Sequence, residues 1–338
     1  MESNKSIENN RTLKLNTKNT LYIGCAFFSI LMLWQMYNNY CPLFLDYLLR
    51  KKYGESNEFI IGIIMAGDNA LAIFMLPLFG TLSDKTKTKY GKRMPYIVVG
   101  MILSALFFPL IAIMFYIESL FGVIIMMAII LIIMNMYRNP AVALMPDVTP
   151  KPLRSKANGI INFVGYLGAI LAGALALFLK IAKDSSITNW EPTNKGNAII
   201  AFCIASFFMI LAMLLLIFKI NENKLLKENQ EDIEYGEKLS ETLGEISENK
   251  PLGKADKKNF IVLLIGVLLW FMSFNAIETF NSLFCKKILG DEGIASTIVI
   301  ILTISSILTF LLAANLPSKI GRKNTVLIGI AALTIGFI

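Results

Sequence analysis

Runs of about twenty apolar residues recur along this chain, each set off from the next by a polar stretch. A helix of that length crosses a hydrocarbon core of about 30 Å. The helix is favoured because it closes its backbone hydrogen bonds within one segment, where lipid offers no partners. The bulk numbers point the same way. Of 338 residues, 55% are hydrophobic and 17% charged, against about 25% charged in a soluble domain. The fold class read from this pattern is an all-α membrane protein.

The runs place spans near 20–43, 58–80, 95–117, 120–142, 156–179, 197–218, 259–284 and 293–315. A ninth begins at Asn324 and stops at Ile338. Its residues rise about 22 Å, too short to cross, so the chain is expected to end inside an element, as a C-terminally truncated product does. With the N-terminus cytoplasmic, the inner segments carry 23 Lys and Arg and the outer loops 8. That bias orients a multi-pass protein of the cell membrane with its N-terminus inside. The excess charge of +8 therefore belongs to the inner membrane face and not to nucleic acid. Residues 1–19 read as a basic cytoplasmic tail with no cleavage-like site, so no removed signal is expected. Segment 219–258 holds 8 Lys and 10 Asp or Glu. It reads as a cytoplasmic linker, partly helical or disordered, between a six-span unit at 20–218 and a partial unit at 259–338.

The two units echo each other. The first span carries WQMYNN from Trp34 and the seventh WFMSFN from Trp270, each with Asn five residues after Trp. The loop after span two reads LSDKTKTKYGKR from Leu82, and the loop after span eight LPSKIGRK from Leu316. Trp and Leu lie 48 residues apart in one unit and 46 in the other. Two matches at a shared offset indicate a parallel internal repeat, which suits a two-bundle transporter.

The loop GTLSDKTKTKYGKRMPY, from Gly80, carries chemistry of its own. Gly80 and Gly91 permit close backbone approach and a tight reversal. Asp84 can accept from Arg93 or from a helix N-terminus, with Lys92 alongside. The plainer reading is a basic loop with a helix cap. The whole stretch resembles the loop-2/3 signature of the major facilitator superfamily, in the variant found in glycoside–pentoside–hexuronide cation symporters and sucrose-type transporters. MAGDNALAIFMLPLFG at 65–80 and ALMPDVTPKPLRSKANGIINFVGYLGAI at 143–170 are similar to the same group. The resemblance covers essentially the whole chain. It implies a major facilitator fold: a complete N-terminal six-helix bundle and an incomplete C-terminal one, about nine spans of twelve. It also implies a cation-coupled sugar transporter working by alternating access. In the repeat, Gly321, Arg322 and Lys323 take the places of Gly91, Lys92 and Arg93. The resemblance does not carry a substrate across. The helix-two carboxylates of melibiose permeases fall on Ala72 and Leu76, and their helix-four sugar-binding aspartate falls on Arg138. The helix-four arginine of plant sucrose symporters falls on Val142.

Polar residues inside the spans are the candidate site. Asp68 lies about 13 Å below the outer surface, where a carboxylate costs about 2.5–3.5 kcal/mol to insert. It therefore serves either a structural ion pair or a cation or substrate site, with Asn69 beside it. H+ or Na+ is the coupling ion such a site takes, and no cofactor or metal is expected. Arg138 lies within stem's reach of the same depth. It either pairs with Asp68 and lines a cavity, or snorkels to the inner headgroups. Asn38, Asn39, Asn135 and Asn162 suit hydroxyl groups. Trp34 and Trp270 either pack in the core or stack on sugar faces. Glu278 forms a stripe with Asn275 and Asn281, pointing to an aqueous cavity or an exposed interface. Asp147 and Arg154 either pair at the inner face or act as caps, with Asp147 or Thr149 before a Pro-started helix. Cys41 and Cys285 lie at corresponding outer ends; unpaired thiols are the default and a disulfide is the alternative.

The reading is a secondary transporter, favouring sugar–cation symport, monomeric in the lipid bilayer. A membrane enzyme would need a catalytic constellation, and the chain has no His. A non-transporting receptor or scaffold of the same fold, or a carrier of another solute, is the remaining competitor.

Overall fold

The computed structural model describes residues 13–55, 57–180, 192–242, 254–290, 292–313 and 320–337. Their α-helices are α1 (Thr17–Tyr53), α2 (Glu58–Lys85), α3 (Met94–Tyr116), α4 (Leu120–Val148), α5 (Arg154–Phe178), α6 (Lys195–Lys219), α7 (Glu222–Thr242), α8 (Lys254–Phe284), α9 (Glu292–Ala313) and α10 (Arg322–Phe337). A 3₁₀ turn at Lys151–Leu153 leads into α5, and a π turn at Cys285–Leu289 ends α8. Among the described residues, α1 to α6 and α8 are long and apolar enough to cross a membrane.

Helix starts follow from capping chemistry. Asn16, Asn57 and Ser119 each accept from a backbone N–H three residues on, at 3.1 Å, and open α1, α2 and α4. Several helices outrun their apolar runs. α1 continues to Tyr53, with Arg50, Lys51 and Lys52 in its last turn, where cations favour the helix dipole. The spans anticipated a stop near residue 142 in α4. The helix instead passes through Pro140 and Pro146 to Val148. Arg154 explains part of this, donating to the carbonyls of Pro146 at 2.8 Å and Thr149 at 3.2 Å.

α1 is the central helix, packed against α5 above all, then α6, α4 and α8. Lipid gives helices no hydrophobic drive to associate, so close contact between small residues decides the fit. Gly168 of α5 illustrates it: an added Cβ would stand 2.4 Å from the Phe28 carbonyl oxygen of α1. Beside this contact lies an aromatic core. Phe44 stacks on Phe115 at 4.0 Å, and Phe202 lies 4.5 Å from Phe108 and 5.5 Å from Tyr40.

α7 belongs to the charged segment 219–258 and lies across the face that carries loop 86–93, called the motif face below. Its sheltered stripe is Glu222, Leu225, Leu226, Asn229, Ile233 and Gly236, a helical periodicity. The stripe packs on the end of α4 and on the 3₁₀ turn, and Asn229 donates to the Val148 carbonyl at 2.8 Å. α8 is different. Its apolar middle, Leu263 to Phe274, is exposed almost all round.

Candidate functional site

Arg138 and Trp34 come together. α4 and α1 bring the guanidinium carbon to 5.8 Å from the indole centroid, a cation–π contact. Trp34 also stacks on Tyr37 at 6.5 Å and 18°. Trp34 is near the middle of α1 and Arg138 stands ten residues from the end of α4, so the pair sits deep in the helices. Among the described residues no carboxylate lies within 4.0 Å of Arg138. The side chain of Asp68 lies outside the described residues; its backbone belongs to α2, which packs on α4. Around the pair, Asn135 is buried and donates to the Leu131 carbonyl at 2.9 Å, leaving its Oδ1 without a partner. Asn38 and Asn39 are buried, and Gln35 donates to Asn39 at 3.2 Å.

Other candidates are spent locally or exposed. Asn162 donates to Asn158, and Asn275 to the Phe271 carbonyl at 2.8 Å. Asn281, third in the Glu278 stripe, donates to the Ala295 carbonyl of α9. Glu278 is half-buried and Asn69 exposed. Trp270 is exposed against Phe271 and Phe274.

The motif face holds a dense ion network. Arg93, 6% exposed, binds Asp84 through Nη2 and Ser83 through Nη1, and donates from Nε to Asp147 at 3.0 Å. Lys92 reaches the same Asp147 oxygen at 3.0 Å. Asp147 thus pairs with Arg93 and Lys92, not with Arg154. Arg154 is spent on α4 carbonyls because its guanidinium is next to orphan acceptors at a helix end. The helix-cap alternative also fails: the 3₁₀ turn after Pro150 has no side-chain cap. Gly80 packs on Asn139, which donates to the Leu76 carbonyl at 2.6 Å and ties α4 to α2.

Glu222 completes this network and was not legible in the sequence. It is fully buried and accepts from the backbone N–H groups of Lys92, Arg93 and Met94 at 2.9–3.0 Å. A carboxylate from α7 therefore caps the N-terminus of α3, where the dipole favours an anion. Gly91 makes the approach possible. Its φ is +114°, and a Cβ there would stand 2.2 Å from Glu222 Oε2. The signal available was the apolar stripe that Glu222 opens, hidden in a run of charge. In the repeat, Gly321 shares the positive φ at +84°; the side chains of Arg322 and Lys323 lie outside the described residues. A groove of about 790 Å³ also opens here between α3, α6 and α7; neither Arg138 nor Trp34 lines it.

The opposite face carries the contacts between the α1–α6 group and α8–α9. Gly62 of α2 faces Phe280, and Gly173 of α5 faces Ile300. A small chamber between the groups is lined by Asn39, Tyr40, Ser282 and Ser296. Asp46 of α1 binds Lys286 and, at 3.6 Å, Lys287 of the π turn; Lys287 also binds Glu58 of α2. Asp46, Glu58, Gly62, Phe280 and the two lysines lie toward one end of their helices. Cys41 and Cys285 are both buried thiols and form no disulfide; Cys285 donates to Asn281 at 3.7 Å. On the same face Glu118, at φ +60°, accepts from Lys195, Lys51 and Tyr47, fastening α6 and α1 to the α3–α4 turn. The bonds from Lys195 and then Lys51 hold its carboxyl down at about 2.

A family model described as MFS/sugar transport protein matches residues 24–338. The chain belongs to that family. Two solved structures share the fold of this MFS/sugar transport chain. The xylose transporter XylE from E. coli, in a partially occluded inward-open conformation, is 15% identical, with a TM-score of 0.54 over 90% of this chain and 74% of that one. The MFS proton:xylose symporter XylE bound to 6-bromo-6-deoxy-D-glucose is 16% identical, with a TM-score of 0.56 over 92% and 71%. At such identities the likeness is one of fold. No curated protein matches the chain. The family match accounts for the helical, multi-pass architecture.

Proposed function

We propose that this protein is a secondary active transporter that moves a carbohydrate by alternating access, coupled to H+ or Na+. The observation that carries the reading is the Arg138–Trp34 pair. An ionised side chain deep in membrane helices is costly and by default functional. The indole offers a flat apolar face to a sugar ring, and the guanidinium offers N–H donors to its hydroxyls. Asn38, Asn39 and Asn135 are further donors and acceptors for the solute, and Asp68 is the candidate for the coupling cation.

The excess of Lys and Arg on the motif face makes that face cytoplasmic. The N-terminus is then inside the cell membrane, and the seam through Asp46 and Lys286 closes the outer side. Residues 20–218 and 259–338 are the two moving units, with 219–258 between them. In this reading Gly80, Asp84, Gly91, Lys92, Arg93, Asp147 and Arg154 hold the inner ends of α2, α3 and α4 in register as the units rock. Gly321, Arg322 and Lys323 do the same in the second unit. The protein works as a monomer.

Equilibrium exchange of labelled monosaccharides in proteoliposomes tests this. Exchange by the wild type, lost in Arg138→Gln, supports the site. Exchange that Arg138→Gln leaves intact removes Arg138 from it.

A further inference from the structure

Asp46 is fully buried near the outer end of α1. Among the described residues, three cations surround it. Arg50, one turn along the same helix, donates to Oδ2 at 2.9 Å. Lys286, itself 6% exposed, holds that same oxygen. Lys287 stands 3.6 Å from Oδ1 and also binds Glu58. Asp46, Arg50 and Glu58 belong to α1 and α2, whereas both lysines sit on the π turn that ends α8. The bonds from the lysines therefore cross between the two helix groups, and the bond from Arg50 does not.

We propose that Asp46 is a positioning residue for the transport cycle, locking the outer gate through Lys286 and Lys287, and that Arg50 is its release partner. The inference rests on the alternating-access reading. When the gate opens, both lysines withdraw together. A carboxylate stripped of both lysines before water reaches it would make that step costly. Arg50 moves with Asp46 because it lies on the same helix, so the carboxylate keeps a partner throughout. Arg50 also acts on the closed state. Two cations on one oxygen repel each other, so its presence weakens the grip of Lys286. Both effects narrow the gap between closed and open. The charges of the two sides are complementary: Asp46 and Glu58 exceed Arg50 by one negative charge, facing the two lysines.

The consequence is a difference of sign. Removing Asp46 or Lys286 opens the outer gate, and removing Arg50 tightens it. A cluster that only stapled the fold would loosen on losing any of the three.

Cys285, buried beside Lys286, reports the gate. The full chain, with Cys25, Cys41 and Cys203 changed to Ser, is placed in membranes and treated from outside with an impermeant maleimide. Asp46→Asn and Lys286→Gln are expected to raise the labelling rate of Cys285 about tenfold. Arg50→Gln is expected to lower it severalfold. The exchange Asp46→Lys with Lys286→Asp returns it to within about twofold of the parent. Labelling that speeds up in Arg50→Gln, as in Asp46→Asn, overturns the proposal. Glu58→Gln, at a half-exposed partner of Lys287, guards against misfolding of Asp46→Asn; faster labelling supports the lock and unchanged labelling contradicts it. The readout needs no substrate, so the lock fails or stands apart from any uptake result.

Discussion

Arg138 owes its importance to what surrounds a charge at depth. Against the Trp34 indole its guanidinium is a planar, stackable cation, a geometry that an ammonium copies poorly. Trp34→Ala removes a contact of about 1–2 kcal/mol, so the KM for exchange should rise about five- to thirtyfold. Trp34→Phe should recover much of that loss, and equal KM values for all three proteins would show the ring to be core packing. Glu222 is a second test at this scale. Glu222→Ala strands three backbone donors at the start of α3 and should cost about 2–3 kcal/mol. Gly91→Ala should act in the same direction, through both φ and collision. Thermal unfolding in detergent checks both; a melting temperature unchanged by Glu222→Ala would sink the capping role. What could be read at this scale followed sequence distance. Asp84 and Arg93 lie nine residues apart and their pairing was visible. Glu222 lies 129 residues from Arg93, and its solvated-looking neighbours masked it. The Asp147–Arg154 proximity in sequence misled, because a helix end with orphan carbonyls competes for the guanidinium.

The helices themselves were legible as apolar runs, since length and composition alone commit a segment to crossing lipid. Their ends were not. Lys and Arg at the tail of α1 read as loop, yet the helix dipole keeps them helical, and the span read for α4 stopped near residue 142, where the helix runs on through Pro146. Close approach between elements was equally hidden, because a glycine's partner is another helix. Gly168→Ala should force α5 off the Phe28 carbonyl at a cost of about 1–3 kcal/mol. Folded yield and melting temperature measure it, and a variant as stable as the parent would contradict the packing described. At the α3–α4 turn the expectation concerns pH. Glu118 is held at about 2 when folded, below the roughly 4.3 of a free glutamate. A depressed carboxyl contributes stability that is fully present above the unfolded value and is lost as pH falls through the folded one. The melting temperature should therefore drop between about pH 4.5 and 2, and Glu118→Gln should flatten that drop.

For the whole molecule, the repeat was the strongest sequence signal and the seam the weakest. Matching Trp and Gly positions announced two related units, and the positive φ shared by Gly91 and Gly321 agrees with them. The bond from Lys286 to Asp46 joins residues 240 apart. In the sequence those charges counted only toward topology. Three cations on one buried carboxylate become visible only when α1 and α8 are placed side by side. The family sets the scaffold, and the proposal is that Arg138, Trp34 and Asp68 decide what it carries. Uptake of labelled monosaccharide by proteoliposomes, with and without an inward pH or sodium gradient, tests that most directly. Accumulation above equilibrium under one of the two gradients, abolished when that gradient is collapsed, is the predicted result. Uptake that never exceeds protein-free vesicles under either gradient, by protein whose Cys285 labels normally, would contradict it.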